Sequence, residues 1–296
     1  MEKLDNTAAR TALWRALHLE IDAEPLIIKD LWALKLTRPA PGWQNRPDML
    51  YTKPIRASIV GRARFVEDQV IKAHENLDIN KAIHQYVILG AGLDSFALRY
   101  QPTNTDISPL QIYEIDQPGT LNWKSACIKE QIKDLPANLQ LIPMDFEADL
   151  QKSSSTWLDA LTSTATNNAF KLDQPAIISC TGVTLYLSLS AIEEMLQLIA
   201  TRFAPGSTAI ISFYEPLTAL EGQDKELLEI SMKGAAASGT PMISFFTEKE
   251  VLELANKAGF TSSKIYNTKD IIQLYFTGRT DDLLPNKGEL FLVATT

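Results

Sequence analysis

The sequence predicts a doubly wound α/β fold, because short β-rich segments alternate with helical segments from residue 86 onward. This alternation requires right-handed crossovers and gives a mostly parallel sheet. The 296 residues, 45% of them hydrophobic, suffice for one large α/β domain with an added cap. Seven strands are expected, at 86–90, 111–115, 139–143, 175–180, 207–213 and near 261–266, and in the final ELFLVAT.

The first 80 residues predict a helical cap. Apolar side chains recur at helical spacing within 7–36, prolines interrupt the pattern after residue 38, and the spacing resumes over 55–76. The main domain is expected at 81–296, with helices near 94, at 118–132, 155–166, 189–202 and 247–258, and in a segment containing Arg279. We expect the two parts to form one structural unit.

Charge and cysteine content exclude several classes of protein. A formal net charge of −8 disfavours nucleic acid as a partner, since phosphate backbones bind clustered Lys and Arg. Cys127 and Cys180 are too few for a disulfide framework. Their settings are typical of reduced thiols, which indicates the cytoplasm. We find no signal peptide and no apolar stretch of membrane-spanning length, so neither secretion nor a membrane partner is expected.

Two strand ends predict a nucleotide site. The strand in YVILGAGLDS opens onto Gly90 and Gly92, where a side chain would keep the backbone from approaching a ligand. The next strand, QIYEID, closes on Glu114 and Asp116. Asp116 lies 24 residues past Gly92, where an acid would meet a ribose, and Glu114 lies on the same face of the strand. Either acid is a candidate ligand.

The cofactor is expected to carry adenosine without phosphates. A dinucleotide fingerprint needs a third glycine for close helix packing, and Ser95 stands at that position. S-adenosylmethionine fits better, and its carboxylate requires a guanidinium that binds it bidentately. Arg62 or Arg64, in a locally basic stretch of an acidic chain, is the candidate.

Two later strand ends extend the predicted site. The third strand ends in Asp145-Phe146, where an acid can accept from the adenine amino group and an aromatic ring can cover the base. The fourth ends in SCTGVTLYL, which places Thr181-Gly182 at the switch point of the sheet. After the fifth strand, residues 215–246 are too long for a turn and predict a lid or a substrate wall at the carboxyl edge.

The chain resembles the leucine carboxyl methyltransferase family, which includes bacterial O-methyltransferases related to polyketide-tailoring enzymes. The similarity covers nearly the whole chain, and its most specific motifs are LGAGLDS and the following YEIDQP. The resemblance implies a class I, Rossmann-like methyltransferase sheet. It also implies S-adenosylmethionine bound by Arg62, Gly90, Asp116 and the Asp145-Phe146 pair. Family members often carry a glutamate that contacts the cofactor where this chain has Thr181.

We therefore expect an S-adenosylmethionine-dependent O-methyltransferase that acts on a carboxylate or hydroxyl of a small molecule. A carboxylate needs no general base. For a hydroxyl, the candidate bases are His18, His74, His84, Tyr186, Tyr214 and Glu215, and the sequence assigns none of them as catalytic. No metal site is expected.

Three alternatives stay open at this point. An open, basic groove would favour methylation of a protein C-terminal carboxylate, whereas a closed pocket lined by Phe245, Phe246 and Met232 would favour a small acceptor. A nicotinamide-dependent oxidoreductase is disfavoured by Ser95. A protein that binds the cofactor without catalysis is suggested by Thr181. The oligomeric state is left open.

Overall fold

The computed structural model describes residues 7–78, 81–103, 106–144, 156–163 and 170–296. Seven strands form one sheet in the order β3-β2-β1-β4-β5-β7-β6. Their bounds are β1 Gln85–Leu89, β2 Gln111–Asp116, β3 Leu139–Pro143, β4 Ile177–Cys180, β5 Thr208–Tyr214, β6 Ser262–Tyr266 and β7 Glu289–Thr295.

The predicted sheet of seven mostly parallel strands is confirmed. The five neighbouring strands β3, β2, β1, β4 and β5 pair in parallel, and β7 runs antiparallel to both β5 and β6. Every residue of β1 is buried, as expected for a central parallel strand covered on both faces. Parallel strands end together, so the segments that follow β1, β2 and β4 meet at one edge.

Eleven α-helices lie within the described ranges. They are α1 Thr7–Ile21, α2 Ala33–Thr37, α3 Pro47–Leu50, α4 Lys53–His74, α5 Phe96–Arg99, α6 Pro118–Ile132, α7 Trp157–Thr162, α8 Leu189–Arg202, α9 Gly222–Ala237, α10 Glu248–Ala258 and α11 Thr268–Tyr275.

The expectation that a helical segment contains Arg279 is wrong. Helix α11 ends at Tyr275, and Arg279 lies in the loop that follows. Its Nη2 donates to the carbonyl of Ala23 at 2.7 Å, and its Nη1 donates to the carbonyl of Pro25 at 2.8 Å. Asp281, which pairs with Arg279, also accepts from the backbone N–H of Ala23. The loop therefore anchors the chain that follows α1.

The N-terminal helices pack onto the sheet through a shared hydrophobic cluster. Leu13 and Leu17 of α1 and Phe65 of α4 belong to the same buried cluster as Ile88 of β1 and Phe291 of β7. This packing places α1 and α4 beside the edge where β1 and β4 end. The division of the chain into a cap at 1–80 and a main domain at 81–296 stays a prediction.

The insertion after β5 is fastened to the sheet at both ends. Glu215 donates its backbone N–H to the carbonyl of Gly288, and Phe246 donates to the carbonyl of Tyr214, each at 2.7 Å. Between these points the segment forms α9 and returns past the residues that follow β4, where Ile243 donates to the carbonyl of Leu185. None of the described helices is long and apolar enough to cross a lipid bilayer.

Candidate active site

A cavity of about 850 Å³ opens at the carboxyl ends of β1, β2 and β4. Its volume is within the usual range for sites that hold small molecules. The wall combines the glycine loop after β1, the end of β2, the segment after β4, α1, α4 and the returning insertion. Ligands of open α/β sheets bind at this position.

Glycine is required at both positions of the loop after β1. Gly90 and Gly92 have φ of +73° and +54°, in the left-handed region that L side chains rarely adopt. A Cβ at Gly90 would collide with the side chain of Val183, and one at Gly92 would lie 3.2 Å from the Cβ of Ala8. Both glycines line the cavity, as the sequence predicted for a loop that lets a ligand approach the backbone.

Asp116 lies at the cavity and fixes the glycine loop. Its Oδ2 accepts the backbone N–H of Gly92, and its Oδ1 accepts the N–H of Gln117, both at 2.7 Å. Burial raises the pKa of Asp116 above its usual range, although the two backbone hydrogen bonds act in the opposite direction. The carboxylate therefore has a fixed orientation beside the loop.

Glu114, the other acid of β2, does not line the cavity. It is fully buried and forms an ion pair with Lys124 of α6, which is itself fully buried. Burial raises the pKa of Glu114 to about 7. Of the two acids that the sequence left open, Asp116 is the one in contact with the cavity, because α6 covers the face of the strand at Glu114.

The structure separates the two predicted arginines of α4. Arg62 lines the cavity, with its Nε 2.7 Å from Oε1 of Glu289. Arg64 is exposed, pairs with Asp68 at 2.7 Å and does not reach the cavity. Two positions along a helix differ by about 200° in direction, so the two side chains face opposite ways.

Other arginines at the cavity were not predicted from the sequence. Arg15 and Arg46 each pair with an aspartate, Asp30 and Asp48 respectively, at 2.7 Å. Arg10 of α1 has no ion pair within the described ranges, and its Nη2 donates to Oγ1 of Thr7 at 3.3 Å. Arg10 is therefore the cavity guanidinium whose charge no described carboxylate offsets. No local motif surrounds Arg10 in the sequence of α1, so no sequence signal indicated that this arginine would reach the cavity.

The segment after β4 brings Thr181 and Gly182 to the cavity. Gly182 has a φ of +70°, and a Cβ there would lie 2.5 Å from Nη1 of Arg62. The hydroxyl of Ser212 on β5 accepts the backbone N–H of Gly182 at 2.8 Å and so fixes this turn. Thr181 is thus placed where the resemblance puts a cofactor-binding glutamate.

Of the other predicted site residues, one pair lies outside the described residues and one group does not line the cavity. Asp145 and Phe146 lie outside the described residues. Phe245, Phe246 and Met232 do not line the cavity, and Phe246 packs instead against the ring of Phe213 with centroids 5.7 Å apart. The insertion contributes a polar strip, residues 238–241, together with Ile243.

The candidate bases are almost all outside the cavity. Within the described part of the lining, the ionisable side chains are Arg10, Arg15, Arg46, Arg62, Asp94, Asp116 and Tyr186. Burial raises the pKa of Tyr186, which makes its phenol a poor base near neutral pH. His18 and His74 are fully buried away from the cavity, and His84 and Glu215 do not line it. No cluster of three metal-ligating side chains occurs among the described residues.

The residues at the cavity fit S-adenosylmethionine. Gly90 and Gly92 line the cavity without side chains, so the loop presents its backbone there. Asp116 offers carboxylate oxygens for ribose hydroxyls, and Arg62 and Arg10 offer N–H donors for a carboxylate. The cavity thus offers an acid for the ribose and guanidinium groups for the carboxylate of this molecule.

The strand order, the antiparallel β7 and the glycine loop define the class I methyltransferase fold. Solved structures support the fold assignment. A candidate methyltransferase from Thermobifida fusca superposes with a TM-score of 0.53 at 15% identity, covering 82% of this chain and 83% of that one. A DUF574 family protein from Streptomyces avermitilis gives 0.51 at 13% identity, covering 98% and 97%.

The chain belongs to the leucine carboxyl methyltransferase family, whose family model matches residues 8–200. It is 30% identical over 199 residues to YktD of Bacillus subtilis, named as a candidate S-adenosyl-L-methionine-dependent methyltransferase. That alignment covers 67% of this chain and 61% of YktD. A Streptomyces avermitilis protein named for the same activity is 26% identical over 209 residues, and that alignment covers 68% of this chain and 66% of the relative. This chain thus spans under two thirds of these relatives.

Proposed function

We propose that this protein transfers a methyl group from S-adenosylmethionine to a carboxylate of a small molecule. The observation that carries the proposal is the composition of the cavity wall. Asp116 and the glycine loop supply a place for adenosine, while the described wall beyond them holds arginines and hydroxyl groups and no histidine. Its one further carboxylate, Asp94, already accepts the backbone N–H of Phe96 at 2.8 Å through Oδ1. A carboxylate acceptor requires attraction and alignment without deprotonation.

Asp116, Arg62 and Arg10 divide the binding of the cofactor between them. Asp116 accepts hydrogen bonds from the ribose hydroxyls with a carboxylate already oriented by Gly92. Arg62 donates a hydrogen bond to the methionine carboxylate, although Glu289 already offsets its charge. Arg10 then supplies the positive charge that this carboxylate needs.

The chain itself aligns the acceptor and excludes water. S-adenosylmethionine, when bound, supplies a methyl group already activated by its sulfonium. Orientation alone contributes effective molarities of roughly 10⁵ M or more to well-aligned displacements of this kind. Thr7, Thr11 and the strip 238–241 offer polar contacts to hold the acceptor, and the returning insertion forms part of the cavity wall. A carboxylate is ionised at neutral pH, so no proton has to be removed.

The other candidate function is methylation of a protein C-terminal carboxylate, which the description of the family favours. The insertion argues for a small acceptor. It is fastened beside the cavity, with the backbone N–H of Ile243 bound to Leu185 and the hydroxyl of Ser244 bound to Leu187 at 2.5 Å. A cavity with this fastened segment in its wall admits a free small acid more readily than the end of a folded protein.

Transfer of a radioactive methyl group distinguishes these possibilities. The purified protein is incubated with S-adenosyl-[methyl-³H]methionine and, separately, the small-molecule and protein fractions of a cell extract. We expect label in the small-molecule fraction, released as volatile methanol by mild alkali because methyl esters hydrolyse and methyl ethers do not. Alkali-stable label would indicate that the acceptor is a hydroxyl and not a carboxylate. Label in the protein fraction alone would favour methylation of a protein C-terminal carboxylate.

A further inference from the structure

A buried cluster of three polar side chains lies behind the cavity and contains Arg62. The guanidinium Nε lies 2.7 Å from Oε1 of Glu289, and Nη2 donates to Oε2 of the same carboxylate at 3.1 Å. Nη2 also donates to the hydroxyl of Tyr214. Glu289 is buried, and the side chains of Arg62 and Glu289 are 12% and 5% exposed, so water does not compete strongly for these hydrogen bonds.

The partners of Arg62 are mounted on a rigid part of the sheet. Tyr214 ends β5 and Glu289 begins β7, and the two residues face each other in the antiparallel register of these strands. The insertion leaves the sheet at Glu215 and returns at Phe246, whose N–H binds the carbonyl of Tyr214. The phenol and the carboxylate therefore have fixed positions relative to the sheet edge at which the cavity opens.

The third nitrogen of the guanidinium faces the cavity. Nη1 lies over Gly182, where a Cβ would come within 2.5 Å of it, and Arg62 is part of the cavity wall. Burial acts to lower the pKa of Arg62, but the charge of Glu289 outweighs it and the pKa is raised. The guanidinium is thus held charged, in one orientation, with one edge occupied by protein and the other available to a ligand.

We propose that Glu289 and Tyr214 are positioning residues for cofactor binding, which act by holding Arg62 so that Nη1 points at the carboxylate of S-adenosylmethionine. The inference rests on the proposed placement of the cofactor. Glu289 lies far along the chain from the glycine loop and does not line the cavity, so its contribution passes through Arg62. Arginine binds carboxylates well because its planar fork is preoriented, and this network sets that orientation.

A double-mutant cycle on binding of S-adenosylhomocysteine tests the inference. Dissociation constants are measured by calorimetry for the wild type, Glu289→Gln, Arg62→Met and the double variant. We expect Glu289→Gln to weaken binding about 5-fold or more in the wild-type background and less than about 2-fold beside Arg62→Met, since residues that act through one another are not additive. Equal weakening in both backgrounds, or none in either, overturns the inference.

A second ligand separates positioning from a general loss of structure. 5′-Methylthioadenosine has the adenosine part and lacks the carboxylate, so Glu289→Gln should leave its affinity unchanged. Equal weakening of both ligands overturns the inference. If Arg62→Met does not weaken the binding of S-adenosylhomocysteine, the proposed placement of the cofactor is itself wrong. If Arg62→Met weakens binding and Glu289→Gln does not, only the positioning role of Glu289 is overturned.

Matched tyrosine variants keep the test decisive if Glu289→Gln does not fold. Tyr214→Phe removes the hydroxyl that binds Arg62. Tyr86→Phe removes another buried hydroxyl, which is 2.8 Å from that of Ser179 and does not contact Arg62. We expect both variants to lower the midpoint of thermal unfolding, but only Tyr214→Phe to weaken the binding of S-adenosylhomocysteine. Equal affinities for the two variants contradict the inference.

Discussion

The carboxylate of Asp116 accepts the backbone N–H of Gly92 at 2.7 Å, which joins the acid that ends β2 to the loop that follows β1. The two residues are 24 positions apart and meet because β1 and β2 are parallel neighbours. Asp116 therefore has two structural roles: it fixes the glycine loop that lines the cavity, and its carboxylate lines the same cavity.

Asp116→Asn should weaken the binding of S-adenosylhomocysteine by about 1–3 kcal/mol, or roughly 5- to 150-fold. An amide forms weaker hydrogen bonds with ribose hydroxyls, and its nitrogen cannot accept the N–H that one carboxylate oxygen now accepts. Calorimetric titration measures the effect. Asp134→Asn, which changes an exposed acid outside the cavity, is the control and should bind as the wild type does. Unchanged affinity of Asp116→Asn would assign the ribose to another group.

Arg10→Gln should weaken the binding of S-adenosylhomocysteine about 10-fold. Hydrogen bonds to charged groups contribute roughly 1.5–3 kcal/mol, and the amide of Gln retains part of the contact. The affinity for 5′-methylthioadenosine, which lacks the carboxylate, should not change. Arg64→Gln is a matched control on the exposed face of α4. If the Arg64 variant loses affinity and the Arg10 variant does not, our assignment of the charged anchor is wrong.

Glu114→Gln should change how stability depends on pH. The pKa of Glu114 is raised by burial to about 7 from a usual value of 4.5. Between these values the folded state binds more protons than the unfolded state, so the contribution of Glu114 is fully present below pH 4.5 and is lost as pH rises through 7. Urea unfolding at pH 5 and pH 8 should show a smaller decrease for Glu114→Gln than for the wild type. Parallel decreases would contradict this.

Lys124→Met should destabilise the fold strongly, by about 3–5 kcal/mol near pH 8, because it leaves the ionised Glu114 buried without its partner. At pH 5 the loss should be smaller, since Glu114 is then mostly protonated. The same urea measurements test this. A loss that does not depend on pH would show that Lys124 contributes packing and not charge.

Thr181→Glu should strengthen the binding of S-adenosylhomocysteine several-fold. Thr181 lines the cavity where the resemblance places a glutamate, and a carboxylate there would gain a charge-assisted hydrogen bond from the cofactor amino group. Thr181→Gln has the same length without the charge and should gain less. Absence of any gain in affinity or methyl transfer would mean that the cavity does not depend on an acid at this position, and would remove the reason to suspect a non-catalytic binding protein.

The sheet and the loop could be predicted from the sequence because their signals are local. The strand that ends at Leu89, the glycines after it and the acid at 116 follow from composition, periodicity and spacing. The bounds of α6 and α8 were also predicted, because Pro118 and the Ser188 cap mark where those helices begin.

Side-chain environments could not be predicted in the same way. Nothing local distinguishes Arg62 from Arg64, since the docking of α4 decides which side of the helix faces the cavity. Glu114 and Asp116 share a face of β2, and the packing of α6 decides that Glu114 meets Lys124. Arg10 becomes part of the cavity because α1 lies over the glycine loop, where Ala8 meets Gly92. These contacts are set by tertiary packing, which local patterns in the sequence do not reveal.

A crystal structure of the protein with S-adenosylhomocysteine tests the central claim most directly. We predict the nucleoside across the ends of β1 and β2, with ribose hydroxyls about 3 Å from the carboxylate of Asp116 and the carboxylate end toward Arg62 and Arg10. Density for the ligand elsewhere, or a ribose that contacts neither oxygen of Asp116, would contradict the account.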